Sequence, residues 1–134
     1  ITENAMMEDP AHALDILKSL SDMGISLAID DFGSGYSSLA YLSKLPVNEL
    51  KIDKSFVSHM VEKEDDATIV RSVIELARNF KLRAVAEGVE NKETWDMLRN
   101  LGCDHAQGYH MSRPLPLNKL KEWMRESPWG LSQA

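Results

Sequence analysis

The chain has 134 residues, 43% of them hydrophobic and 27% charged, which is the composition of a soluble globular protein of one domain or part of one. Its formal net charge of −6 argues against general DNA or RNA binding and against direct contact with an anionic membrane surface. The single cysteine, Cys103, excludes an internal disulfide and fits a cytoplasmic location, although a longer parent protein with a membrane anchor would fit equally.

The first predicted helix begins at a proline that follows an acid. The chain opens Ile1-Thr2-Glu3 without an initiator methionine, so we expect it to start inside an element of a larger protein. At Asp9-Pro10 the acid suits a helix N-cap and the proline suits the first helical position. Gly24 is expected to end this helix.

A short apolar run, 25–29, predicts a buried strand that stops at two adjacent acids, Asp30 and Asp31. A glycine-containing turn follows, and a short helix is expected over about 37–45. Acids at the end of a buried strand, beside such a turn, suit the binding of a cation and a phosphate. The alternative is a polar loop whose acids cap backbone amides.

Strands and helices alternate along the rest of the chain. The predicted elements are strand 47–52, a helix that starts at Asp65-Asp66, strand 81–86, helix 92–100, strand 105–107 and helix 117–125. Four successive strands each lead into polar, chemically capable side chains. These are Asp30 and Asp31, then Lys51 and Asp53, then Glu87, and then Gln107.

This alternation predicts parallel strands joined by right-handed crossovers, hence an α/β fold. An open doubly wound sheet and part of a (β/α)8 barrel both satisfy it. A barrel gathers the carboxyl ends of all its strands at one mouth, so the repeated polar strand ends favour the barrel. Because a whole barrel needs about 250 residues, we expect a partial TIM-like (β/α)8 barrel of about four βα units.

The polar strand ends carry a recognisable chemistry. Asp30 and Asp31 can hold one or two divalent cations through oxygen ligands, and Glu87 can complete the set. Lys51 can orient a water or offset phosphate charge, and Gln107 can hydrogen-bond a base or a phosphate oxygen. Structural roles fit the sequence as well: an ion pair for Lys51, a helix cap for Glu87 and a packing role for Gln107.

The chain resembles the C-terminal half of an EAL domain, the cyclic diguanylate (c-di-GMP) phosphodiesterase family of bacterial second-messenger signalling. The matching motifs fall in the family's order and spacing and cover nearly all of the chain. They are Ile1-Thr2-Glu3, Asp30-Asp31-Phe32-Gly33-Ser34-Gly35-Tyr36-Ser37-Ser38-Leu39, Leu50-Lys51-Ile52-Asp53, Ala86-Glu87-Gly88-Val89-Glu90, Gly102-Cys103-Asp104 and Gln107-Gly108-Tyr109.

The resemblance implies hydrolysis of one phosphodiester bond of cyclic diguanylate, dependent on Mg²⁺ or Mn²⁺, to give the linear dinucleotide. By motif, Asp30 and Asp31 match the metal-binding pair and Glu87 the glutamate of the metal site. Lys51 matches the lysine that orients the attacking water, so Lys51, Asp31 and Glu87 are the expected catalytic residues. The expected substrate-binding residues are Gln107, which matches the active-site glutamine, and Asp53.

The segment 32–38 matches the family's mobile loop, which couples ligand binding to metal binding and dimerisation. Glu3 matches the glutamate that holds this loop. The expected loop-stabilising residues are therefore Glu3, Phe32, Gly33, Gly35 and Ser37. The resemblance also implies a homodimer and contacts with other domains of the same parent chain.

Three family metal ligands belong to the region that this chain lacks: the glutamate of the Glu-Ala-Leu signature, the asparagine of the following strand, and a glutamate just before Ile1. We therefore expect residues 1–134 to be the C-terminal half of an EAL domain and to be inactive alone. Two open sheet edges would favour pairing with another copy. The alternative function is a degenerate EAL module that binds cyclic diguanylate or a protein partner without hydrolysis. No active-site residue of the covered region is substituted, which favours the enzyme.

Overall fold

Four strands pair side by side in the order in which they occur along the chain. In this computed structural model, which describes residues 1–35 and 38–130, the strands are β1 (Ala28–Phe32), β2 (Glu49–Ile52), β3 (Arg83–Glu87) and β4 (His105–Gln107). All three pairings within the described sheet are parallel. The predicted α/β fold with parallel strands is confirmed. The carboxyl ends of all four strands lie along one edge of the sheet.

Seven helices are described in the same ranges. They are α1 (Glu3–Glu8), α2 (Pro10–Asp22), α3 (Leu39–Leu42), α4 (Lys54–Val57), α5 (Glu64–Asn79), α6 (Lys92–Leu101) and α7 (Leu117–Glu126). The sequence patterns did not predict α1 and α4. Both are short and begin at a side-chain cap, since Thr2 accepts a hydrogen bond from the N–H of Ala5 and Asp53 accepts one from the N–H of Ser55.

The predicted bounds of the first strand were wrong. The strand was expected over 25–29, but β1 covers Ala28–Phe32 and contains both acids, while Ile25 is exposed. Pairing with β2 decides the position, because the ladder begins at Ala28 opposite Glu49. The helix expected over 37–45 is reduced to α3, and Tyr36 and Ser37 lie outside the described residues.

The core lies between the sheet and the helices that cover it. Helix α5 packs on β2 and β3 and buries apolar residues spaced three or four apart, namely Ala67, Val70, Val73, Ile74 and Ala77. They meet strand residues that are completely buried, among them Leu50, Ile52, Ala84 and Ala86. Burial of apolar surface at about 25 cal/mol per Å² makes this layer the main source of stability.

The outer edge of β1 pairs with the first residues of the chain. Asp30 donates its backbone N–H to the carbonyl of Ile1 at 2.7 Å, and Thr2 and Asp30 form a parallel bridge. Residues 1 and 2 therefore lie in the sheet beside β1, where a further parallel strand would run. No strand of the described ranges pairs with the outer edge of β4. Among the described helices, none has the length and apolar character that a membrane crossing needs.

Candidate metal centre at the carboxyl end of the sheet

Three carboxylates from two strands converge at the carboxyl edge of the sheet. One oxygen from each of Asp30, Asp31 and Glu87 lies within 4.8 Å of the others, and all three residues are partly buried. The two aspartates come from β1 and the glutamate ends β3, so the cluster spans the width of β2. Residues 57 positions apart in the sequence thus share one site because parallel strands end at the same edge.

Adjacent residues of a regular strand point to opposite faces of the sheet, so both aspartates could not normally reach one site. The backbone of Asp31 is in the left-handed region, with φ of 55°, and the pairing register shifts between Ile29 and Phe32. This bulge turns the second carboxylate toward the same side as that of Asp30. A non-glycine residue held at positive φ stores about 1 kcal/mol of strain, which is typical of functional sites.

Lys51 lies between these carboxylates, on β2, the strand that separates β1 from β3. Its Nζ is 2.9 Å from Oδ1 of Asp30 and 2.5 Å from Oε1 of Glu87. Burial would by itself lower the pKa of Lys51, but the hydrogen bonds and charges of Asp30 and Glu87 outweigh it, so the pKa is raised. The hydrogen bond from Lys51 holds the pKa of Asp30 below its ordinary value. Lys51 is therefore a cation at neutral pH, and the ion pair that the sequence left open is present.

The donor set fits a hard divalent cation. Oxygen ligands sit about 2.1 Å from Mg²⁺ in an octahedron, so they lie roughly 3 to 4 Å apart. The separations in the cluster, up to 4.8 Å, allow one ion after a small adjustment of the side chains, or two ions that share a carboxylate. Three carboxylates give three negative charges and Lys51 offsets one, which leaves net negative charge to attract a cation.

Glu3 holds the turn that follows β1. Its side chain is 3% exposed, and Oε2 accepts hydrogen bonds from the backbone N–H of Gly33 at 3.2 Å and of Gly35 at 3.1 Å. A buried carboxylate needs such partners, and here the turn supplies them. Phe32 anchors the start of the turn in the core. Ser37, also expected to stabilise this loop, lies outside the described residues.

The two predicted substrate-binding residues occupy different settings. Gln107 ends β4 directly opposite Glu87 in the pairing register, and it is exposed. Asp53 follows β2, and its Oδ1 accepts a hydrogen bond at 2.7 Å from the N–H of Ser55, which caps α4. Asp53 thus has a structural role that the sequence reasoning did not assign, and its substrate role stays a prediction.

Sequence reasoning also missed the residues that hold the strand ends together. Gly88 directly follows Glu87, and Gly108 directly follows Gln107. Each approaches a neighbouring segment too closely to leave room for a Cβ atom. A glycine immediately after a polar strand end, repeated on adjacent strands, was the signal that could have identified them.

Comparison with known proteins identifies relatives over nearly the whole chain. MucR of Pseudomonas aeruginosa, named as a bifunctional diguanylate cyclase/cyclic di-GMP phosphodiesterase, is 46% identical over 120 residues, which are 90% of this chain and 18% of MucR. NbdA of the same organism, named as a cyclic di-GMP phosphodiesterase, is 44% identical over 125 residues, which are 93% of this chain and 16% of NbdA.

Solved structures agree with the fold. The MucR phosphodiesterase in complex with c-di-GMP superposes with a TM-score of 0.87 at 46% identity, covering 90% of this chain and 49% of that one. BlrP1 of Klebsiella pneumoniae, in a complex with manganese and cyclic diguanylate, gives a TM-score of 0.77 at 35% identity, covering 84% of this chain and 29% of that one. The chain therefore spans less than a fifth of these two curated relatives and about half of the MucR phosphodiesterase chain.

A sequence model of the EAL domain matches residues 1–114, which contain all four strands and every candidate site residue. The sheet topology, the carboxylate cluster and these matches agree, and the chain belongs to the EAL domain family.

Proposed function

We propose that this chain is the C-terminal half of an EAL domain that hydrolyses one phosphodiester bond of cyclic diguanylate to give the linear dinucleotide. The observation that supports this most strongly is the convergence of Asp30, Asp31 and Glu87 around Lys51 at the carboxyl end of a parallel sheet. Relatives that match over this region are named as cyclic di-GMP phosphodiesterases.

In this proposal Asp30, Asp31 and Glu87 hold Mg²⁺ or Mn²⁺. When bound, the metal supplies a water of lowered pKa and neutralises charge on the phosphate under attack. The BlrP1 complex with manganese supports the choice of cation for the family. The carboxylates of Asp31 and Glu87 are also the groups that we assign to accept the proton of the attacking water.

Lys51 orients that water and does not act as a base. Its raised pKa keeps the ammonium protonated at neutral pH, so it has hydrogen bonds to donate and no lone pair to offer. Held between Asp30 and Glu87, it can donate to the water oxygen and offset charge that develops on the phosphate. We expect Gln107, at the next strand end, and Asp53 to contact the nucleotide.

We further propose that the segment 32–38, held by Glu3, couples nucleotide binding to the metal centre and to a homodimer interface. The parent protein would carry other domains, as the much longer relatives do. A free thiol at Cys103 supports a cytoplasmic site of action. The isolated 134-residue chain should be inactive, because three expected metal ligands are outside it.

The test is turnover of cyclic diguanylate by a protein that contains the complete barrel, followed by chromatography of the linear product with Mg²⁺ or Mn²⁺. We expect hydrolysis that Lys51→Ala lowers by about 10²-fold or more while Lys44→Ala, an exposed lysine, has no effect. Binding of the nucleotide without turnover would favour the degenerate binding module instead. Hydrolysis by the homogeneous 134-residue chain would contradict its expected inactivity.

A further inference from the structure

The loops that follow β3 and β4 are joined through a single buried residue. Val89, which is completely buried, donates its backbone N–H to the carbonyl of Gln107 at 3.1 Å. Its own carbonyl accepts the N–H of His110 at 3.0 Å. The pairing of the two strands therefore continues past their ends, with Glu87 two residues before Val89.

This contact has no room for a side chain at Gly108. A Cβ atom there would lie 2.0 Å from the carbonyl oxygen of Val89 and 2.4 Å from its nitrogen. Both obstructing atoms are backbone, so no rotation of a side chain could relieve the overlap. Any residue other than glycine at 108 would separate the two loops.

A second close contact joins the β3 loop to the segment that follows β2. Gly88 has φ of +75°, and a Cβ atom on it would lie 2.7 Å from Cβ of Lys54 and 3.3 Å from Oγ of Ser58. Lys54 begins α4, three residues after Lys51, and Gly88 directly follows Glu87. One added methyl group would push the two loops apart by several tenths of an ångström.

We propose that Gly88 and Gly108 are positioning residues of the metal centre, which set the spacing between Lys51, Glu87 and Gln107 through these two loop contacts. The catalytic meaning of this spacing rests on the proposed function, but the spacing itself does not. The two contacts connect three successive strand ends in a series from β2 to β4. Lys51 Nζ is in hydrogen-bond contact with carboxylates at the ends of both neighbouring strands, so a shift of one strand end changes these contacts.

The chain contains a matched control for Gly88. Gly24 has φ of +81°, nearly the same backbone conformation, yet nothing lies within 4 Å of the Cβ position. Alanine imposes the same left-handed strain at both sites, but only Gly88→Ala obstructs a neighbouring loop. Any difference between the two variants therefore reports the contact with Lys54.

The contact between Gly88 and Lys54 also allows a second substitution to rescue Gly88→Ala. The nearest obstruction at Gly88 is Cβ of Lys54, which Lys54→Gly removes. The remaining neighbours, Oγ of Ser58 at 3.3 Å and Cα of Lys54 at 3.4 Å, are close to ordinary contact distances. The double variant Gly88→Ala with Lys54→Gly should regain the native spacing.

The experiment records the ¹⁵N–¹H signal of the Lys51 ammonium in a metal-free protein that contains the complete barrel, and then measures Mn²⁺ affinity from the electron paramagnetic resonance signal of free Mn²⁺. For Gly88→Ala we expect a displaced or lost ammonium signal and Mn²⁺ affinity about tenfold weaker or more. Gly24→Ala should keep the wild-type signal and an affinity within about twofold, and Lys54→Gly should restore both in the double variant.

A folded Gly88→Ala chain with a wild-type Lys51 signal would overturn the proposal. If Gly88→Ala fails to fold, the double variant decides: recovery of fold and signal supports the contact, and failure to recover contradicts it. A wild-type protein with the complete barrel that shows the Lys51 signal but never binds Mn²⁺ would count against the proposed metal centre and leave the positioning result standing, so the two failures are distinguishable.

Discussion

Lys51 Nζ lies 2.5 Å from Oε1 of Glu87, a residue on the neighbouring strand, and the same ammonium reaches Asp30 at 2.9 Å. The two carboxylates that would hold a cation are therefore bridged by the protein's own positive charge. This arrangement keeps like charges together in the metal-free chain. It also predicts that a bound cation can replace the positive charge of Lys51.

Removal of Lys51 should destabilise the metal-free chain more than the metal-bound one. In Lys51→Ala the clustered carboxylates lose their counter-charge, so we expect the free energy of unfolding to fall by about 1 kcal/mol without metal. Added Mg²⁺ should then raise the melting temperature of the variant more than that of wild type. Thermal melts with and without Mg²⁺ measure this, with Lys44→Ala as the exposed control. An identical Mg²⁺ shift in all three chains would refute the prediction.

Asp31 should lower the stability of the metal-free chain while it supports metal binding. Asparagine tolerates the left-handed backbone as aspartate does, and it removes one of three clustered negative charges. Asp31→Asn should therefore raise the metal-free free energy of unfolding by about 0.5 to 1 kcal/mol and weaken Mn²⁺ binding. Urea denaturation and an Mn²⁺ titration check the two effects, and Asp15→Asn on the exposed face of α2 is the control. A variant that is destabilised yet binds Mn²⁺ normally would contradict the assigned role of the bulge.

Glu3 should be required for the turn after β1. Glu3→Ala leaves the N–H groups of Gly33 and Gly35 without their acceptor in a partly buried setting, which should cost about 1 to 3 kcal/mol. Glu8→Ala removes an exposed carboxylate from the same helix and should cost less than about 0.5 kcal/mol. Urea denaturation of both variants provides the comparison. Equal losses would mean that the two hydrogen bonds contribute nothing measurable.

Cys103 should be an unreactive thiol. Burial raises its pKa to about 11 from 9.0, and backbone hydrogen bonds at His105 and Ala86 oppose this rise only in part. At pH 8.5 the thiolate fraction of the folded chain should be roughly 100-fold below that of the unfolded chain, and iodoacetamide alkylation should slow in proportion. Because the folded state keeps the proton that the unfolded state releases near pH 9, stability should fall as the pH rises from about 9 to about 11. Cys103→Ala should remove this part of the pH dependence, and rapid alkylation of the native chain would contradict the burial.

The ends of the third and fourth strands were predictable from the sequence because apolar runs stop at polar residues there. Glu87 and Gln107 were expected at the ends of the third and fourth strands, and they end β3 and β4. The bulge at Asp31 was not predictable, since it depends on the pairing register between β1 and β2. That register is a property of two strands and leaves no mark in the local pattern of either one.

The contact between Glu3 and the turn after β1 was inferred only because the family resemblance supplied it. Glu3 and Gly33 are 30 residues apart, and no periodicity connects them. Short helix α4 was missed because four residues carry too little hydrophobic pattern, although its cap, Asp53, was present in the sequence. The sequence left open whether Lys51 forms an ion pair. The structure shows that it does, with Asp30 and Glu87.

We propose that the carboxylates at the strand ends form one divalent-metal centre. The most direct measurement is a Mn²⁺ titration, followed by electron paramagnetic resonance, of a protein that contains the complete barrel, for wild type, Glu87→Gln and Glu90→Gln. Glu90 is an exposed glutamate in the same loop, so it matches the change in charge without belonging to the cluster. We predict saturable Mn²⁺ binding that Mg²⁺ displaces, that Glu87→Gln weakens by about tenfold or more, and that Glu90→Gln leaves unchanged. Mn²⁺ binding of equal strength in all three chains would contradict the account.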